Sequence, residues 1–147
     1  MHLTIQCAKV LQPAPDADIL KWLQLAIKAV LKGSANTKQA TITVRFVGSK
    51  ESQLLNKQYR NKNYATNVLT FTYSVAPLHA DLVLCTPVLR RESKQQGKQL
   101  TDHLAHLLMH GALHAMGFNH ETNAEANVME ALEISLLKRL KVANPYG

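Results

Sequence analysis

His110, His114 and His120 stand at places 1, 5 and 11 of the run His110-Gly111-Ala112-Leu113-His114-Ala115-Met116-Gly117-Phe118-Asn119-His120. Residues four apart on a helix share a face, with Cβ atoms about 5–6 Å apart, so the first two imidazoles can reach one ion at about 2.0–2.1 Å. The third cannot if the helix runs on, because six further residues at about 100° each carry it to the opposite side. Gly117 supplies the stop: it takes the left-handed conformation without a Cβ penalty, and Phe118-Asn119-His120 can double back. Three neutral imidazoles with an open fourth position describe one catalytic zinc ion per chain, completed by water or substrate. A structural zinc is closed by four protein ligands, usually including cysteine, and Cys7 and Cys85 are both far along the chain. Zinc held in this way can acidify a water, polarise a phosphoryl or carbonyl oxygen, or orient a substrate. His103 and His106, upstream on the same helix, are read as packing residues or as partners of the ligands.

The same His, His, Gly and His spacing occurs in metzincin proteases, where a glutamate directly after the first histidine is the general base. Here that position is Gly111. Glycine cannot take a proton, so a protease reading lacks its base.

The elements that must position these residues follow from periodicity. Leu3, Ile5 and Cys7 alternate as a short strand, and a helix capped by Asp16 or Asp18 runs to about Leu31, stopped by Gly33. Thr41–Val47 is a second strand with Ile42, Val44 and Phe46 on its buried face. Ser49 caps a short helix carrying Leu54, Leu55 and Tyr59, followed by the polar loop Arg60-Asn61-Lys62-Asn63. Val68–Tyr73 and Asp81–Thr86 form a hairpin around Pro77. Thr86 caps a helix from Pro87 to about Gln96, the histidine helix spans Asp102–Met116, and Thr122 with Glu125 has capping-box spacing ahead of the stripe Val128, Leu132, Leu136 and Leu140. The expected fold is α+β: a small mixed four-stranded sheet packed with about five helices, with a zincin-like central His-bearing helix covered by the sheet and the C-terminal helix.

The chain has 147 residues, 46% of them hydrophobic, which suits a single domain over residues 1–147 with a real core. No run approaches the ~20 apolar residues of a membrane-spanning helix, so no membrane is expected among its partners. The opening Met1-His2-Leu3-Thr4-Ile5-Gln6-Cys7 lacks the pattern of a secretory signal, which makes a cytoplasmic location the expectation. Two buried reduced cysteines are expected there. A net charge of +7 favours a polyanionic partner.

The motif His-Gly-x-Leu-His-x-x-Gly-Phe-x-His resembles the signature of the YbeY endoribonuclease, or rRNA maturation factor, family. The likeness extends to Tyr59-Arg60, to Thr66-Asn67-Val68-Leu69-Thr70-Phe71, to Asp81, and to Met129-Glu130-Ala131-Leu132-Glu133. It implies a zinc-dependent endoribonuclease specific for single-stranded RNA, acting in maturation of the end of the small-subunit ribosomal RNA and in ribosome quality control. The substrate would be a ribosomal RNA precursor, with the ribosome or small-subunit proteins as further partners. By the same likeness His110, His114 and His120 are the metal ligands and catalytic centre, and Arg60 is the basic residue beside the scissile phosphate. A guanidinium fork suits that task, since it can hold phosphoryl oxygens bidentately as charge develops on them. Lys57, Lys62, Arg90, Arg91, Lys94 and Lys98 are candidates to follow a single strand, with Tyr59, Tyr64 or Phe71 for stacking. Ala65, Thr70, Ala80 and Asn119 stand where the family usually has Pro, Ser, Gly and Asp. Of these, Asn119 bears on chemistry: an amide accepts a hydrogen bond from a ligand imidazole more weakly than a carboxylate, which lowers expected metal affinity. The alternative from another class is a non-catalytic, metal-stabilised RNA-binding ribosome assembly factor.

Overall fold

The computed structural model describes residues 1–147. Four strands, β1 (His2–Cys7), β2 (Thr41–Val47), β3 (Val68–Val75) and β4 (Leu78–Cys85), form one mixed sheet in the order β1-β2-β4-β3. β1 and β4 run parallel to β2, and β3 pairs antiparallel with β4 across the turn at Ala76-Pro77. Ile42, Val44 and Phe46 of β2 are fully buried, as their alternation requires, while Thr41, Thr43 and Arg45 face the other way and are half-buried.

Six helices surround the sheet: α1 (Asp16–Val30), α2 (Ser34–Gln39), α3 (Ser49–Arg60), α4 (Thr86–Gln95), α5 (Leu100–Ala115) and α6 (Asn123–Arg139). The main core joins Ile19, Leu23 and Ile27 of α1 to β2, to Leu82 and Leu84 of β4, and to Leu104, Leu108 and Met109 of α5. A smaller cluster of Val47, Leu69, Val83, Cys85 and Val88, with Leu55 and Phe71 against it, fills the opposite side of the sheet. The histidine helix α5 touches α1, α4, α6, β3 and β4. A helix covered on so many sides can be apolar nearly all round, and Leu104, Leu108, Ala112 and Leu113 are indeed fully buried.

Several sequence-based expectations need correction. There are six helices where about five were expected: α2 is short and polar, with only Thr37 buried, so no apolar stripe announces it. Cys85 is buried but Cys7 is exposed, because it ends an edge strand. The buried side of α6 consists of Met129, Glu133, Leu136 and Leu137, whereas Val128 is 56% exposed. β4 begins at Leu78 rather than Asp81, and α5 begins at Leu100 rather than Asp102. Pro15, Gly48 and Cys85 occupy the N-cap positions of α1, α3 and α4, so no aspartate caps α1, and Ser49 and Thr86 lie inside their helices. The Thr122–Glu125 capping box of α6 forms in full. No helix is long and apolar enough to cross a membrane.

Candidate metal centre

His110 and His114 lie one turn apart on α5, with their Nε2 atoms 3.0 Å from each other. Gly117, at φ +105°, then ends the helix in a Schellman turn. The Phe118 N–H donates to the Leu113 carbonyl at 3.0 Å, and the Gly117 N–H donates to the His114 carbonyl at 3.0 Å. This reversal brings His120 back, so that one ring nitrogen from each of His110, His114 and His120 lies within 4.8 Å of the others.

Proton accounting shows what such a cluster can hold. The Nδ1–H of His114 donates to the Phe118 carbonyl at 2.9 Å, and the Nδ1–H of His110 donates to Glu133 Oε1 at 2.5 Å. A neutral imidazole has a single N–H, so in the neutral form that metal ligation requires both rings turn an unprotonated Nε2 toward the same point. Two lone pairs facing each other call for a cation between them. Tetrahedral zinc fits, because two ligands at about 2.0–2.1 Å stand roughly 3.3–3.4 Å apart in that geometry. Burial, and then the neighbouring His110, lower the pKa of His114 to about 4, which keeps this ring neutral at physiological pH.

The imidazoles open onto a cleft of about 570 Å³ that Arg60, Thr70, Thr72 and Glu121 also line. Arg60 arrives from a distant part of the chain as the last residue of α3. Asn61 ends that helix in the left-handed conformation, φ +56°, which asparagine tolerates better than most residues. Two buried polar residues clamp the following loop to α3. Ser52 Oγ accepts from the Thr66 N–H at 2.9 Å, and Asn56 Nδ2 donates to the Tyr64 carbonyl at 2.9 Å. Of the other basic candidates, Lys57, Lys62, Arg90, Arg91, Lys94 and Lys98, none lines the cleft. Tyr59 and Tyr64 are exposed, while Phe71 packs against the Tyr59 ring at 5.0 Å.

Gly111 does not itself line this cleft. A Cβ there would lie 3.1 Å from Leu82 Cδ2 and 3.4 Å from Thr70 Oγ1, so a side chain at this position would press on β4 and on the Thr70 hydroxyl of the cleft wall.

A family model described as Endoribonuclease YbeY matches residues 5–141. The chain belongs to the YbeY endoribonuclease family. Among curated proteins named Endoribonuclease YbeY, that of Albidiferax ferrireducens is 46% identical over 99% of this chain and 97% of its own length. The one from Methylibium petroleiphilum is 45% identical over 100% and 95%, and that of a Polaromonas species is 52% identical over 90% and 81%. The solution structure of TM1509 from Thermotoga maritima shares the fold, with a TM-score of 0.57 at 17% identity over 95% of this chain and 91% of that one.

Within this YbeY chain, the remaining histidines of α5 are partners and not part of the three-imidazole cluster. His103 bonds Glu92 Oε1 at 3.0 Å, and Glu92 also accepts from Asn67 Nδ2 at 3.1 Å, tying α5, α4 and the start of β3 together. The bond to His103 outweighs burial and holds the Glu92 carboxyl below its ordinary pKa. His106 Nε2 lies 3.4 Å from Glu133 Oε1 and 3.3 Å from the Tyr146 hydroxyl. Asn119 accepts no hydrogen bond from a neighbouring imidazole: its Oδ1 is buried with no hydrogen-bond partner. His110 bonds Glu133 and His114 bonds the Phe118 carbonyl instead.

Glu133 and Tyr146 are the residues whose part in the site the sequence reading missed. Glu133 is fully buried; burial pushes its pKa up, but hydrogen bonds from His106, His110 and Tyr146 overcome this and hold it at about 2. Burial and the bond to Glu133 push the Tyr146 hydroxyl well above its usual range. A signal for Glu133 existed, since an acidic residue four after Met129 and three before Leu136 falls on the buried side of α6. Tyr146 had none.

Proposed function

We propose that this chain is a zinc-dependent endoribonuclease that cuts single-stranded RNA in the cytoplasm. Its substrate is a ribosomal RNA precursor, cut during maturation and ribosome quality control in contact with the ribosome or small-subunit proteins. One observation carries this reading: Arg60 from α3 and three imidazoles from α5 and its reversed end line the same cleft. That pairing of a guanidinium with metal-ligating groups suits a phosphodiester, whose phosphoryl oxygens gain negative charge on the way to cleavage. His110, His114 and His120 would hold the ion, which when bound supplies Lewis acidity toward a phosphoryl oxygen. Arg60 binds and orients the phosphate, and Thr70 and Thr72 offer hydroxyl groups along the cleft wall. Gly111 directly after His110, where zincins carry their general-base glutamate, argues against peptide hydrolysis and is no obstacle to RNA, which carries its own 2′-hydroxyl. The names of the curated relatives support the same activity.

The deciding experiment compares cleavage of an end-labelled single-stranded RNA by the zinc-loaded protein and by Arg60→Ala, purified identically at matched metal content. The variant is expected to lose at least about 100-fold in rate, comparable to the loss of one charge-stabilising donor, while retaining zinc and fold. Equal cleavage by both proteins contradicts the assignment of Arg60.

A further inference from the structure

We propose that Tyr146, in the C-terminal tail, is a positioning residue for the metal ligand His110 and acts through the buried carboxylate of Glu133. The proposal rests on the reading of His110, His114 and His120 as metal ligands. Tyr146 lies beyond residues 5–141 that the family model matches, so the family match assigns it no role. The residue is 45% exposed, which limits what it adds to the apolar core. Its hydroxyl points inward. It donates to Glu133 Oε2 at 2.6 Å and lies 3.3 Å from His106 Nε2. The other carboxylate oxygen of Glu133 accepts from His110 Nδ1 at 2.5 Å.

The direction of every bond in this chain is fixed. A carboxylate only accepts, so His110 carries a proton on Nδ1, and in the neutral form that metal ligation requires its Nε2 lone pair is left for the ion. The single hydroxyl proton of Tyr146 goes to Oε2, so its oxygen accepts from His106 Nε2–H. His106 Nδ1 is then unprotonated, which agrees with its buried position and lack of a partner. His110 and Tyr146 thus hold the two oxygens of a carboxylate with no solvent exposure, with His106 Nε2 3.4 Å from Oε1, and that orientation aims His110. Remove the hydroxyl, and Oε2 is left without a donor in a place water does not reach. The carboxylate then turns toward its remaining donors, and its hold on His110 slackens. The tail delivers the hydroxyl by two contacts that a phenylalanine would retain. The ring meets His106 edge-on at 5.5 Å, and the Tyr146 N–H donates to Asn144 Oδ1 at 2.8 Å.

The test is zinc affinity, measured on the full chain by competition with a chelator for the wild type, Tyr146→Phe, Glu133→Gln and the double variant. Tyr146→Phe is expected to bind zinc on the order of 10-fold more weakly, at the lower end of what outer partners of metal ligands contribute. In the Glu133→Gln background the same change should add less than about twofold, because the two residues act as one unit. The cobalt-substituted Tyr146→Phe protein should also show an altered visible absorption spectrum. A tyrosine that merely anchored the tail would lower the melting temperature and leave zinc affinity untouched. Unchanged affinity in folded Tyr146→Phe overturns the proposal, and so does a full additive loss in the double variant. If Glu133→Gln does not fold, the Tyr146→Phe comparison decides alone. A wild type that binds no zinc contradicts the metal-site reading itself, and this proposal falls with it.

Discussion

Gly111 packs closely on β4: a Cβ there would stand 3.1 Å from Leu82 Cδ2, tighter than an ordinary contact. Gly111→Glu should therefore not turn the site into a protease. It should instead destabilise the fold by roughly 2 kcal/mol or more, from overpacking and from a carboxylate forced against the sheet, as urea denaturation would register. A stable variant with peptidase activity contradicts that account. His114 gives a second prediction. Its folded pKa is about 4, against about 6.5 for an unperturbed histidine, so between these values the unfolded chain binds the extra proton. Stability of the metal-free protein then rises with pH across that window: the contribution of His114 is intact above about pH 6.5 and is lost as pH falls toward 4. Urea midpoints of metal-free wild type should drop over that range more steeply than those of His114→Gln, and parallel profiles would refute the assignment. At this scale the imidazole cluster was legible in the sequence because helical spacing and one glycine define it. Glu133 was legible only in part: its spacing from Met129 and Leu136 puts it on the buried side of α6, but the stripe assigned there took Val128 and Leu132 in place of Met129 and Glu133.

The turn that ends α5 determines where His120 goes. Gly117 adopts φ +105°, where an L side chain is strained, so Gly117→Ala should cost about 1–2 kcal/mol. It should also weaken zinc binding more than an equally destabilising change elsewhere, because the reversal it supports carries His120, the third proposed ligand; chelator competition on the folded variant reads this directly. Zinc affinity equal to wild type would show that His120 reaches the site without that turn. The sequence disclosed this element because a glycine three residues after His114 and three before His120 has a clear conformational purpose. It hid α2, whose six-residue Ser-Ala-Asn-Thr-Lys-Gln sequence has no apolar stripe and is too short for its own propensities to hold it as a helix. The caps of α3 and α4 were misplaced by one residue for a related reason: serine and threonine favour helix starts generally, and only the packed backbone decides which residue of the turn is the cap.

Across the whole molecule, the α+β architecture and its mixed sheet follow from strand and helix periodicity, and membership of the YbeY family accords with the motif that ends α5. What periodicity could not disclose is the convergence of Arg60, at the end of α3, with histidines fifty and more residues later, because long-range proximity depends on how the sheet and α5 stack. The sheet order β1-β2-β4-β3 puts β3 at an edge, and the cleft forms between that edge, the end of α3 and the reversed end of α5. The central claim is that this assembly cuts RNA through a metal held by three histidines. It is tested most directly by following cleavage of a single-stranded RNA by the zinc-loaded protein, again after complete chelation, and again after zinc is restored. The account predicts one zinc per chain, loss of cleavage with the metal and recovery with its return; cleavage that persists unchanged in verified metal-free protein would contradict it.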